Sequence, residues 1–458
     1  MSDRIERDSM GEVKVPATAL YGAQTQRALN NFGLHRRTMP PGFINNLAMI
    51  KSAAALANAE CGALPEDIAG AIQQAAAQVM AGGLSDQFPV SLFQTGSGTS
   101  SNMNMNEVLA RLASDASGEA VHPNDHVNCS QSSNDVIPSC ILVTAARDLH
   151  DNLLPALGEL IATVQQRSEE LVSTTKTGRT HLMDAMPLTF GQEIGAWACQ
   201  LKECEQRFAG LLPRLCQLPV GGSAVGTGVN VPAGFAPRLV RQLKQLSGID
   251  FEVAANAYSR MAGQDVPLEC SAALRSLAVV LSKINNDLRW MASGPLSGLA
   301  EIELEALQPG SSIMPGKVNP VLPEAVLMIA AEVVGSDTSV ALAAQSGSFQ
   351  LNVMLPLIAE KLSSGCESLS WACRASAETV AGFSVNEQRI AASLAANPIL
   401  VTALNTTIGY EAAANIAKRS YAEQRPVIDV AVEETGMGRE ELARLLDPYR
   451  LTLGAVTE

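Results

Sequence analysis

Aromatic residues are scarce in this chain. Phe, Tyr and Trp together make up 4% of its 458 residues, although hydrophobic residues make up 47%. An apolar composition drawn from Ala and Leu instead favours close-packed long helices over sheets. Basic residues are also in deficit, and the formal net charge of −14 argues against nucleic acid as a partner. Any anionic substrate must then be held by local cations and oriented amides, because the global field repels it. No Cys-x-x-Cys pair occurs among the nine cysteines. That scatter argues against a disulfide scaffold and against zinc or iron–sulfur sites, and points to a reducing, cytoplasmic compartment. No run approaches eighteen apolar residues, so no membrane span is expected. Met1–Lys14 carries Asp3, Arg4, Glu6, Arg7 and Asp8 without an apolar core, and reads as neither signal nor transit peptide.

What is present is long helical periodicity. Up to about residue 130 short helical segments alternate with loops, with helices expected over Ile44–Glu60, Glu66–Met80 and Met103–Ser114. Over Asn134–Thr174 the residues Ile141, Ala145, Leu149, Leu153, Leu157, Leu160 and Val164 step by three or four, which marks one helical face. That helix would be on the order of 60 Å long, with Pro155 as the point of bending. Four further long patterns follow at about 188–212, 262–293, 320–345 and 350–380. Helices of this length need partners along their whole extent. The expected fold is all-α in the main: an elongated central bundle of five long helices, residues 131–382, between a domain of residues 1–130 and a small helical domain of residues 383–458.

Polar residues concentrate in a few breaks between these segments. Gly310–Pro320 reads Gly-Ser-Ser-Ile-Met-Pro-Gly-Lys-Val-Asn-Pro, which cannot continue a helix or strand. Its hydroxyls, ammonium and amide suit convergence on an anion, with Ser311 or Ser312 facing the reacting atom. It is not a phosphate-binding P-loop, since five residues separate its glycines and Val318 follows Lys317. Gln94–Asn102, with Ser97, Gly98 and Thr99, supplies exposed N–H groups before a helix and so a natural carboxylate site. Ser132, Ser133 and Asn134 precede the first long helix, and Thr180-His181 sits in a loop before the second. Tyr21–Arg27 is an early polar run that reads as a structural clamp.

The loop Gly310–Pro320 resembles that of the fumarase/aspartase superfamily, whose members eliminate a group beta to a carboxylate and release fumarate. Matches extend from Met10 to near the C-terminus. Within the superfamily the chain is most similar to the class II, metal-independent fumarases, because His181 follows Arg179-Thr180 where aspartases tend to carry Gln. The resemblance implies hydration of fumarate to malate, with no cofactor and no metal. It implies a homotetramer whose sites each draw on three subunits. It casts Ser311 as the base for the C3 proton, His181 as the group that activates water and protonates the leaving hydroxyl, and Glu324 as the acidic partner of that histidine. Lys317, Val318 and Asn319 would hold one carboxylate, and Ser97, Gly98, Thr99, Ser132, Ser133, Asn134, Thr180 and Ser312 the rest of the dicarboxylate. The residues alone do not decide whether His181 or Ser311 takes the carbon proton. His122, Pro123, Asn124 and Asp125 resemble a second anion site of the family, weakened here by Glu119 and His126. The alternatives are an aspartate ammonia-lyase and a non-catalytic helical scaffold of the same superfamily.

Overall fold

The computed structural model describes residues 3–33 and 37–454. Met1 and Ser2 of the segment read as lacking a leader, and residues 455–458 of the third expected domain, lie outside them. The chain opens with an antiparallel hairpin, β1 (Asp3–Asp8) against β2 (Gly11–Pro16), in register Asp3↔Pro16 to Asp8↔Gly11. Helices α1 (Ala23–Asn31), α2 (Pro41–Glu60), α3 (Glu66–Met80) and α4 (Thr99–Ser117) follow. Proline at the first position of α2 has the backbone torsion that helix initiation requires. Helix α4 begins at Thr99, four residues before the expected start at Met103, because Gly98 takes a left-handed φ of 74° and turns the chain directly into it.

The first long segment comprises α5 (Ser133–Arg147), a π-helical stretch over Asp148–Leu153, and α6 (Leu154–Glu170). The wider turns fall just ahead of Pro155, whose missing N–H breaks the regular ladder, so the expected bend is taken up as a π segment. Then come strands β3 (Thr175–Thr180) and β4 (Met183–Thr189), α7 (Phe190–Leu215), α8 (Phe235–Ser247), α9 (Ala257–Ala262) and α10 (Asp265–Met291). The long helices α11 (Val321–Ala344) and α12 (Leu355–Gly382) precede six short ones, α13 (Glu387–Ala396), α14 (Asn405–Ile408), α15 (Tyr410–Glu423), α16 (Val427–Thr435), α17 (Arg439–Leu445) and α18 (Pro448–Leu451). The architecture is all-α, with strands confined to two-stranded pairs.

One expectation needs correcting. The stretch before α7 is no loop: β3 and β4 pair antiparallel from Thr175↔Thr189 to Thr180↔Met183, with an irregularity between Thr177 and Arg179. Its β-branched threonines suit a strand, but the pairing is cross-strand and leaves no helical period to read. Helix α11 is, by length and mean hydropathy of 1.6, apolar enough to cross a membrane. The run expectation counted unbroken apolar residues, whereas α11 is interrupted by Glu324, Glu332 and Asp337.

The chain divides into two compact units whose boundaries fall inside the long helices. The first comprises Met1–Pro155, Cys204–Ala278 and Ala330–Ser370. Helix α2 is its centre, packed against α3, α5 and α8. With Phe43, Leu47, Ile50, Ala53, Ala54 and Ala57 all inaccessible, α2 is buried on nearly every side. The second comprises Ala156–Glu203, Val279–Ile329 and Trp371–Glu458. Its buried side chains include Phe190, Ile194 and Trp197 of α7 and Leu281, Ile284 and Leu288 of α10. Among the short C-terminal helices Leu400, Leu404, Ile416, Val427, Val430 and Leu442 form a separate apolar cluster.

Candidate active site

The first unit brings the expected residues of α4 and α5 together. A Cβ on Gly98 would lie 2.8 Å from Ile137 Cγ2, so the start of α4 rests directly on the first turns of α5. Ser97 Oγ and Thr99 Oγ1 are 2.8 Å apart, and Asn102 Nδ2 donates to Ser133 Oγ at 3.1 Å. Helix α5 is opened by a capping box: Ser132 Oγ accepts from Asn134 N at 3.2 Å, and Asp135 Oδ1 accepts from Ser132 N at 2.9 Å. The second Asp135 oxygen accepts from Gly221 N and Ser223 N, both at 3.0 Å, and Asn134 Nδ2 donates to Ala224 O at 2.8 Å. Burial raises the Asp135 carboxyl to about 6 despite these bonds. Two helix N-termini thus open beside Ser97, Gly98, Thr99, Ser132, Ser133 and Asn134, the electrostatic setting that favours a carboxylate.

The polar run Tyr21–Arg27 gains its partner here. Glu107 of α4 accepts from Gly22 N, Gln24 N, Thr25 N and Thr25 Oγ1, at 2.6–3.1 Å. The carboxylate closes the N-terminus of α1, a structural role for the run.

The second unit carries the remaining residues. His181 and Leu182 form the two-residue turn of the β3–β4 hairpin with φ of 55° and 61°. Such a turn favours Asn-Gly, and holding His and Leu in it stores strain that the hairpin must over-determine. A buried ion cluster does so. Lys176 Nζ lies 2.7 Å from Glu193 Oε2, 2.9 Å from Glu301 Oε2 and 4.6 Å from the Phe190 ring centre. Arg179 Nη2 donates to the other Glu301 oxygen at 2.7 Å. His181 and Thr180 at the tip are exposed.

In the Gly310–Pro320 loop, Gly310 N donates to Lys317 O and Asn319 Nδ2 to Gly310 O, both at 2.8 Å. A Cβ on Gly310 would stand 2.5 Å from Lys317 O, so the loop closes only with glycine there. Ser311 Oγ accepts from Ile313 N at 3.2 Å and Met314 N at 3.1 Å. Two backbone N–H groups aimed at a hydroxyl oxygen stabilise its oxyanion and leave its own proton free. Ser312, Lys317, Val318 and Glu324 are exposed. Among the described residues no hydrogen bond or ion pair joins His181 to Ser311, Lys317 or Glu324.

The turn at Pro123–Val127 sits in the first unit. His122 Nδ1 accepts from Asn124 N at 3.3 Å and Asp125 N at 3.1 Å. The same nitrogen is 3.2 Å from Asp125 Oδ2, a contact that turns attractive only on protonation, at the expense of both amide bonds. Among the described residues no group of three or more His, Cys, Asp or Glu is placed to hold a metal ion. Sequence reasoning passed over Glu107, Lys176 and Glu301, and also Lys51, which is inaccessible in α2. The signal for Lys51 was there: a single lysine inside a helix apolar on all sides must have buried partners.

The chain matches the lyase family over residues 11–335 and the fumarase C C-terminus over residues 400–453. It is 55% identical to a class II fumarate hydratase of Xylella fastidiosa, covering 99% of this chain and 96% of that one. A class II fumarate hydratase of Pseudomonas aeruginosa is 53% identical, with 99% of both chains covered. The crystal structure of a class II fumarase from Schistosoma mansoni superposes with a TM-score of 0.95 at 35% identity, covering 99% of this chain and 100% of the other. With its helix N-termini, hairpin histidine and serine-bearing loop, the chain belongs to the class II fumarases of the fumarase/aspartase superfamily.

Proposed function

We propose that this protein is a fumarate hydratase, interconverting fumarate and (S)-malate without a metal or other cofactor. The observation that carries the chemical assignment is the Gly310–Pro320 loop, where two N–H groups meet Ser311 Oγ. In dehydration the Ser311 alkoxide takes the C3 proton, and the C–H electron pair moves into the adjacent carboxylate. Lys317 neutralises that charge, and Val318 and Asn319 complete the carboxylate's binding site through polar contacts. The pair then forms the double bond as the C2–O bond breaks, and His181 gives its proton to the departing hydroxyl. Hydration runs these steps in reverse. Glu324, supplied by another copy of the chain, is the acidic partner of His181. Ser97, Gly98, Thr99, Ser132, Ser133, Asn134, Thr180 and Ser312 hold the rest of the dicarboxylate.

Among the described residues of one chain the side chains of His181 and Glu324 have no hydrogen-bond or ion-pair partner, which supports completion of the site by other copies in a homotetramer. Exposed apolar side chains on α11, among them Met328 (68%) and Leu342 (56%), support the same reading. The His122–Asp125 turn, with its imidazole nitrogen spent on backbone amides and Glu119 exposed beside it, takes a second anion weakly. Nine free thiols support a cytoplasmic location. The separate apolar cluster of the C-terminal helices supports setting residues 383–458 apart as a domain beside residues 1–130 and 131–382. The test is the ultraviolet loss of fumarate by purified protein with and without ammonium and with a chelator present. The hydratase consumes fumarate in all these buffers; a requirement for ammonium or for metal contradicts the proposal.

A further inference from the structure

A buried polar chain lies behind the Ser132–Asn134 cluster, and nothing in the chemistry above uses it. Lys51 Nζ donates to Asn128 Oδ1 and to Gln131 Oε1, both at 3.0 Å. Asn128 Oδ1 also accepts from Asn102 Nδ2 at 3.2 Å and Asn106 Nδ2 at 3.1 Å. Asn102 Nδ2 then donates to Ser133 Oγ at 3.1 Å. Lys51 and Asn106 are inaccessible, and Asn102 is 1% exposed.

The direction of this chain is what matters. An ammonium donates only, so each amide it meets must present oxygen. Asn128 turns its oxygen to Lys51, and Asn102 and Asn106 must then turn their NH2 groups to that same oxygen. The consequence is visible in the Asn102 and Asn106 carbonyl oxygens, which are buried without a hydrogen-bond partner. Two such orphans are costly, and they are tolerated where the reverse orientation would set oxygen against oxygen. At the end of the chain Ser133 Oγ is an acceptor, so its own proton stays free for an anion in front of α5. A reversed Asn102 would draw that proton inward. Burial lowers the Lys51 pKa to about 7, with Asp135 and Cys140 opposing. Even the neutral amine keeps the two N–H groups these bonds use.

We propose that Lys51 is a positioning residue for the dicarboxylate, acting through Asn128 and Asn102 to hold the Ser133 hydroxyl as an outward donor. The inference rests on reading Ser133 as a carboxylate ligand. Its test is a double-mutant cycle on the full-length protein with Lys51→Met, Ser133→Ala and the double variant. Fumarate KM is followed, together with calorimetric affinity for succinate, a dicarboxylate that cannot react. Each single substitution should weaken both by on the order of tenfold, with kcat changed less, and the double should also lie near tenfold. Effects that multiply towards a hundredfold, or a Lys51→Met that lowers melting temperature but leaves succinate affinity intact, overturn the inference. An unchanged affinity in Ser133→Ala contradicts the reading of the site and the inference with it. A normal Ser133 effect that multiplies with Lys51→Met contradicts the inference alone. Should Lys51→Met fail to assemble, Asn102→Ala, which removes the N–H donor that holds Ser133 Oγ, enters the same cycle with the same expected outcomes.

Discussion

A serine hydroxyl is far too weak an acid to ionise in water at neutral pH, and this is the central chemical difficulty of the proposed mechanism. Two N–H groups on Ser311 Oγ address it from within a single loop. His181 poses the opposite problem, since among the described residues of its own chain no hydrogen bond or ion pair orients the imidazole beyond the turn that carries it. Replacing it by Asn keeps the polar contact and removes titration. His181→Asn should lower kcat by about 10² or more with the fold retained, as loss of general acid–base catalysis does. Steady-state kinetics across pH, with circular dichroism for the fold, checks this. Near-normal turnover with an unchanged pH profile would reduce His181 to a positioning role. Ser311, Lys317 and His181 stood out in the sequence as candidates because their neighbours are so specific. Lys176 and Glu301 did not, since one charge tells nothing of a partner more than a hundred positions away.

At the scale of elements, the long helices were legible because each has an apolar stripe of its own. The β3–β4 hairpin was not, because its stabilising pairs lie across the turn. The π segment at Asp148–Leu153 was foreshadowed only by Pro155. Asp148, at its start, accepts from Ser363 Oγ at 3.0 Å, and burial raises its carboxyl to about 6, with Glu367 and Asp151 adding to the rise. A folded pKa above the unfolded one means the native state binds more protons between them. The contribution of Asp148 to stability is therefore full below about pH 4 and is lost as pH rises through about 6, a loss on the order of 2–3 kcal/mol. Asp148→Asn stays neutral throughout. Its stability relative to the unsubstituted protein should rise between about pH 4 and about pH 6 and level off above, in unfolding measurements across that range. A difference that does not vary with pH would contradict the account.

For the whole molecule the question is whether one chain suffices. Composition and helix length already implied partners along the long helices, and α11 leaves Met328 and Leu342 in solvent. If sites are shared, Ser311→Ala and His181→Asn chains, each nearly inactive, should regain activity well above either parent when unfolded together and refolded as a mixture. A mixture as inactive as its parents, with subunit mixing proven by mass, would contradict the shared-site proposal.

The most direct measurement is proton NMR of fumarate incubated with the purified protein in D2O buffer free of ammonium and added metal. Addition of deuteroxide at one carbon and deuterium at the other, by the proposed mechanism in which Ser311 and His181 act on opposite faces of the substrate, should give malate carrying one deuterium at C3 in a single diastereomer. Unchanged fumarate, a product formed only with ammonium, or a mixture of C3 diastereomers would contradict the account.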